Sequence, residues 1–85
     1  MGYSLYILKS RKFNKYYIGS SQNLRLRLSY HNSVEKGFTS RYRPWDIVYE
    51  KEFNSKQQAQ VVERKVKKWK SKVMIERIIS NEIFI

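Results

Sequence analysis

The stretch from Tyr17 to Asn32 most constrains what this chain can fold into. Tyr17-Ile18-Gly19 leads through Ser20-Ser21-Gln22-Asn23 straight into Leu24-Arg25-Leu26-Arg27-Leu28 and on to His31. A strand end, a glycine turn, a capped start and a helix follow one another with no spare residue. Asn23 and Ser21 are both suited to the N-cap, because a short polar side chain accepts a bond from the first free N–H groups of a helix. Leu24 and Leu28 stand one turn apart and form an apolar stripe. At about 100° per residue His31 falls beside that stripe and Arg27 on its edge. As i and i+4 the two are neighbours on one helix face. A cation and an imidazole on the rim of a buried face are unusual, and they direct attention to this helix.

The flanking segments read in order. Tyr3, Leu5 and Ile7 alternate with Ser4, Tyr6 and Leu8, a period of two that predicts a strand covered on both faces. Residues 9–15 are polar and basic and short enough to close a hairpin. Tyr16 to Ile18 is the second strand, ended by Gly19, and the helix runs to about Asn32. Residues 33–43, with Glu35 and Gly37, read as a loop holding a helical turn, and Pro44 stops any helix there. Trp45, Ile47, Tyr49 and Phe53 alternate with Asp46, Glu50 and Glu52, which predicts a third strand with its apolar side inward. Asn54 or Ser55 caps a long helix on which Ala59, Val62, Val66, Trp69 and Val73 recur at helical spacing. Ser71 marks a break before a short last helix carrying Met74, Ile75, Ile78 and Ile79. Residues 81–85 read as a loosely held tail. The expected fold is α+β: a three-stranded, largely antiparallel sheet with two to three or more helices, in the order β-β-α-β-α(-α).

A chain of 85 residues is expected to form one domain, residues 1–85. Its core is expected to be one layer of helix on sheet, since a domain this small buries only about 60–65% of its unfolded surface. There is no cysteine, which excludes disulfides and thiolate metal sites. With no long apolar run and no signal pattern, a cytoplasmic protein is expected. Lys and Arg number 18 against 7 Asp and Glu, a net charge of +11. Such an excess calls for a polyanionic partner, nucleic acid first and an anionic membrane surface second. The membrane reading is the weaker, because the apolar stripe of the last long helix is already needed for the core.

Most acids are explained by position on a strand or helix surface. Glu63 is not. It borders the Ala59–Val62–Val66–Trp69 stripe, and it is the only acid in a dense basic run, with Arg64, Lys65, Lys67, Lys68, Lys70 and Lys72 close behind. An i,i+4 pair with Lys67 is its ordinary role. The alternative is a single-carboxylate ligand for a hard divalent cation, completed by water and phosphate oxygens. His31 is the sole histidine, and alone it is more often a packed residue than a catalyst. Tyr6 and Tyr17 alone are strand aromatics, and Arg27 alone a surface cation. No Gly-rich phosphate loop and no Ser/His/Asp order is present.

Together these residues resemble a known family. Ser4-Leu5-Tyr6, then Tyr17-Ile18-Gly19, then Arg27 and His31 on the next helix, then a helical Glu63, resemble the GIY-YIG endonuclease superfamily. The likeness runs from about Tyr3 to Ile79 and is nearest to small single-domain proteins similar to the N-terminal nuclease module of the bacterial excision-repair endonuclease. The stretches Thr39-Ser40-Arg41-Tyr42-Arg43-Pro44-Trp45 and Glu63-Arg64-Lys65-Val66-Lys67-Lys68-Trp69 share that likeness. Ser4 and Leu5 replace the usual glycine and isoleucine of the first motif, and Asn81 is the one counterpart of a late polar residue found in some members.

The resemblance implies metal-dependent hydrolysis of DNA phosphodiester bonds, in DNA repair or recombination and selective for DNA structure. It implies Glu63 as the ligand of one Mg²⁺ or Mn²⁺. It implies Arg27 as the neutraliser of charge on the phosphoryl oxygens, and Tyr17 or Tyr6, with His31, as the groups that activate water. It implies Gly19 as the residue that lets the backbone pass close to the catalytic helix. Lys67, Lys70, Arg41 and Arg43 are the expected phosphate contacts, with little sequence preference. A non-catalytic DNA-binding module of a larger complex, with a protein partner, is the competing expectation.

Overall fold

In the computed structural model, which describes residues 2–33, 38–83 and 85, strand β1 (Tyr3–Ser10) is the centre of the molecule. It pairs antiparallel with β2 (Tyr16–Ser21) on one side and β3 (Trp45–Phe53) on the other, giving the sheet order β2-β1-β3. Its alternation is used on both faces, for Leu5, Tyr6, Ile7 and Leu8 are all buried. The α+β class, the antiparallel sheet and the expected order of elements along the chain hold.

One expectation about the layers does not. The sheet carries helices on both faces. Leu5 and Ile7 pack with Ile18, with Val66 of α3 (Lys56–Trp69) and with Ile78 of α4 (Lys72–Ile79). Tyr6 and Leu8 pack on the other face with Trp45 and with Leu24 of α1 (Leu24–Ser33). A strand with four successive buried side chains needs cover on both sides, which a single helix layer cannot supply.

The local signals explain most boundaries. Ser10 is buried and closes the hairpin: its Oγ accepts from the N–H groups of Lys12 (3.2 Å) and Phe13 (3.1 Å), and its own N–H reaches the Lys15 carbonyl at 3.0 Å. Arg11 grips Asp46 through Nε and Nη2 at 2.9–3.1 Å, tying the hairpin to β3. Of the two cap candidates before α1, Asn23 is the N-cap and Ser21 holds the backbone of that cap. Asn23 Oδ1 accepts from the Leu26 N–H at 3.2 Å, and Ser21 Oγ from the Asn23 N–H at 3.1 Å. The helical turn expected in the following loop is α2 (Phe38–Arg41). Glu35 and Gly37 lie outside the described residues. The Arg43–Pro44 peptide is cis.

Four expectations are corrected. Gly19 does not end β2; the strand continues to Ser21, pairing Ser20 with Leu5 and Ser21 with Ser4. In β3 the register shifts between Ile7, opposite Tyr49, and Leu8, opposite Ile47, leaving Val48 as an extra residue. This bulge puts Trp45 on one face and Tyr49 and Phe53 on the other, and leaves Ile47 36% exposed, so the apolar residues of β3 do not share one side. Val73 is 57% exposed and belongs to α4, because Lys70 turns into the left-handed region (φ 47°) and ends α3. Ser55 and Ser71 cap the two helices through bonds from the Gln58 and Met74 N–H groups. Nor is the tail loose: Ile83 and Ile85 pack on the Leu5–Ile7 core, and Lys51 Nζ donates to the Ile85 carbonyl.

Candidate functional site round the free edge of β2

β2 is an edge strand, so side chains from the two faces of the sheet can meet round its outer side. Tyr6 gets there from the central strand because its cross-strand partner is Gly19. A Cβ at position 19 would stand 2.5 Å from Tyr6 Oη and 2.7 Å from Cζ. The tyrosine therefore leans across β2 through space that only glycine leaves open. The close approach at Gly19 is made by the Tyr6 ring, with the Tyr17 ring next at 3.2 Å, and not by α1.

At the end of that reach Tyr6 Oη shares a 3.0 Å hydrogen bond with His31 Nε2. Both residues are 1% exposed. Tyr17, half-buried, closes the triangle: its ring centre is 4.7 Å from that of His31 and 6.5 Å from that of Tyr6. Burial, seconded by Tyr17, pushes the Tyr6 hydroxyl up to about 12; the guanidinium of Arg27, hydrogen-bonded to Tyr6, works against the rise, and the charge of Glu63 adds to it. Both charged groups are thus close enough to act on one phenol.

Glu63 arrives from α3 on the opposite face. Its side chain is 18% exposed. Ser20 Oγ donates to Oε1 at 2.7 Å, and Lys67 Nζ donates to Oε2 at 2.8 Å. The i,i+4 pair with Lys67 is therefore formed, as its ordinary role requires. Lys67 also stands over the Tyr17 ring, 5.7 Å from its centre, which joins the α3 side of the edge to the α1 side. The five residues singled out in the sequence come from β1, β2, α1 and α3 to this one edge.

The expected phosphate contacts divide. Lys67 and Lys70 are exposed; Lys67 touches Glu63 and stands over Tyr17, and Lys70 lies one turn further along. Arg41 is exposed on α2. Arg43 donates from Nε to the His31 carbonyl at 3.0 Å, a contact that holds the end of α1. Asn81 lies at the exit of α4 with φ 62°, its N–H on the Ile78 carbonyl at 3.1 Å.

Two supporting residues escaped sequence reasoning. Ser20 steadies Glu63. Asn32 clamps α1 to β3, accepting from the Trp45 N–H at 2.7 Å and donating to the Trp45 carbonyl at 3.2 Å. The signal for Ser20 was its place next to Gly19, with a side chain on the α3 face; a lone strand serine carries no mark beyond that.

A single carboxylate with one serine donor and one movable lysine retains lone pairs for a hard cation. Among the described residues no group of three or more His, Cys, Asp or Glu side chains could hold a metal, so any ion here rests on Glu63 together with water and phosphate oxygens. Also among the described residues, no helix is long and apolar enough to cross a membrane.

Comparison with known proteins bears on the family and the fold. The GIY-YIG catalytic domain model matches residues 2–77. The solution structure of a UPF0213 protein from Bacillus halodurans superposes with a TM-score of 0.59 at 25% identity, over 94% of this chain and 84% of that one. No functionally curated protein matches the chain.

Proposed function

This chain belongs to the GIY-YIG family of nucleases, and from that premise we propose that it is an endonuclease hydrolysing DNA phosphodiester bonds with Glu63 holding one divalent cation. GIY-YIG nucleases generally use divalent metals. The observation that carries the reading is the meeting of Tyr6, Tyr17, Arg27, His31 and Glu63 at one cationic edge, bound together by the Tyr6–His31 hydrogen bond.

The chain's own residues divide the work by exposure and charge. Arg27 faces the phosphoryl oxygens, where a planar guanidinium meets two of them at once. Tyr6 is buried and firmly protonated, so it serves as a fixed hydroxyl that orients His31. Tyr17 is the less buried of the two tyrosines and, with His31, orients the attacking water. Lys67, 5.7 Å from the centre of its ring, adds positive charge beside it. Mg²⁺ or Mn²⁺ on Glu63, when bound, supplies Lewis-acid polarisation of the phosphate and eases departure of the 3′ oxygen. The net charge of +11 draws the protein to DNA backbone without reading bases, which suits selection by DNA structure, as in repair or recombination.

The Glu63–Lys67 ion pair favours a second reading, a DNA-binding module without catalysis. Plasmid nicking with Mg²⁺ or Mn²⁺ separates the two. Wild type is expected to nick, and Glu63→Ala to lose at least about 100-fold in rate with DNA affinity kept or raised. Nicking that survives Glu63→Ala removes the metal site; absence of nicking by wild type leaves the binding module.

A further inference from the structure

Beyond the five-residue cluster, the outer side of β2 opens into a recess of about 350 Å³ between the strand and the junction of α3 with α4. Its walls are largely apolar, with Ile18, Val66 and Ile75 beside the ring of Tyr16. The hydroxyl of Tyr16 donates to Glu76 at 3.3 Å, so its polar tip is turned to α4 and the ring remains as wall. Four lysines, Lys15, Lys67, Lys70 and Lys72, line the recess, the Lys15 ammonium lying 5.6 Å from the centre of the Tyr42 ring, and among the described residues no carboxylate lines it. Lys70 holds its place there in a left-handed conformation (φ 47°, ψ 37°) at a helix end where glycine would sit without strain.

We propose that this recess receives an unpaired nucleotide of the DNA strand, next to the scissile phosphate. The recess and such a nucleotide are complementary in shape and charge. A base needs an apolar wall and a flat aromatic face, and the phosphates on either side of it need cations about one nucleotide apart. A duplex offers only a charged ridge to this surface, and would leave the apolar floor wet and unfilled. Tyr17 lines the recess as well as touching His31, so a strand crossing the catalytic edge enters the recess within a nucleotide or so. The inference rests on the nuclease reading above and gives it a substrate class: DNA with a single-stranded segment flanking the cut.

The test is binding without metal, which keeps it separate from cleavage. Fluorescence anisotropy compares a labelled blunt duplex, the same duplex with a short single-stranded overhang, and that overhang carrying an abasic nucleotide. The overhang is expected to bind about 5–10-fold tighter than the blunt duplex, and the abasic form to lose most of that gain, as expected for one stacked base. The Lys15→Ala/Lys72→Ala variant should erase the preference while holding blunt-duplex affinity within about twofold, and should flatten the salt dependence for the overhang by about 1.4 log units per decade, two single-strand phosphates' worth. Its thermal melt, compared with wild type, shows that it is folded. Equal binding of blunt and overhang DNA overturns the proposal. So does an abasic overhang that binds as well as the intact one, a lysine variant that loses both DNAs alike, or poly-glutamate that competes as well per charge as the oligonucleotide. A preserved preference in a protein that does not nick DNA would sink the nuclease reading and leave the recess standing.

Discussion

Gly19 and Tyr6 face each other across the β1–β2 ladder, and the Tyr6 hydroxyl occupies the space where a side chain at position 19 would begin. Tyr6 cannot yield cheaply, being 1% exposed and hydrogen-bonded to His31 at 3.0 Å. Gly19→Ala is therefore expected to push the ring off His31 and to cost about 1–3 kcal/mol of stability as overpacking. Pairing it with Tyr6→Phe gives a direct check. The two changes act on one contact, so their effects on melting should be markedly less than additive. Simple additivity would show that Gly19 matters for some other reason.

The raised titration of Tyr6 has a consequence at high pH. A free tyrosine loses its proton near 10, but this one holds it to about 12. Between those values the folded state binds a proton that the unfolded state has released, so stability falls as pH rises through that window and the contribution is fully present below it. The loss assigned to Tyr6 is on the order of 1–2 kcal/mol after allowance for solvent screening. Burial raises Tyr16 and Tyr49 as well, so wild type should lose stability from all three. Melting curves from pH 9 to 12 should fall less steeply for Tyr6→Phe than for wild type. Parallel curves would mean that Tyr6 is not held protonated by its burial.

The same residues show what could and could not be read from the sequence. The alternation through Tyr3 to Leu8 announced a strand, and helical spacing through Ala59, Val62 and Val66 announced α3, because both signals are local and periodic. The near-continuous run Leu5-Tyr6-Ile7-Leu8 also held the clue to a sheet covered on both faces. The bulge at Val48 was hidden, since nothing in Trp45 to Phe53 demands an extra residue; it exists only in the pairing with β1. The docking of Ile83 and Ile85 was hidden for a like reason, for it depends on the distant Leu5–Ile7 face. The five candidate residues were singled out by their order and by family resemblance, and the fold brings them to one edge of β2. Ser20 and Asn32 were not, because a hydroxyl or an amide acquires its role only when the fold supplies its partner.

Ser20 offers a test of how Glu63 is held. Its hydroxyl fixes one carboxylate oxygen at 2.7 Å, which limits rotation of the side chain that the proposed function gives to a cation. Partners of this kind commonly change metal affinity or activity by about 10-fold or more. Ser20→Ala is expected to raise the Mn²⁺ concentration for half-maximal nicking by about that factor, with the rate at saturating metal little changed. Ser20→Thr keeps the donor and suits a strand, and should restore the wild-type requirement. A metal requirement unmoved by Ser20→Ala would mean that Glu63 is positioned by α3 alone.

Asn32 tests whether the proposed activity needs α1 tied to β3. Its amide makes both bonds to the backbone of Trp45, and one residue earlier the His31 carbonyl accepts from Arg43. These contacts fix the last turn of α1, which carries His31 into the sheet against Tyr6. Truncating Asn32 leaves the Trp45 N–H and carbonyl in a half-buried place without that partner, a cost of about 1–3 kcal/mol. The more telling result lies in the site. Asn32→Ala should loosen the imidazole, so its ring signals by NMR should broaden or shift, and the nicking rate should fall by about 10-fold or more with DNA affinity unchanged. Asn32→Asp keeps the acceptor for the Trp45 N–H and loses the donor to its carbonyl, and is expected to fall between. If Asn32→Ala lowers the melting point yet leaves the His31 resonances and the rate as they were, then the clamp serves the fold alone, and the hold on His31 comes from Tyr6 and Arg43.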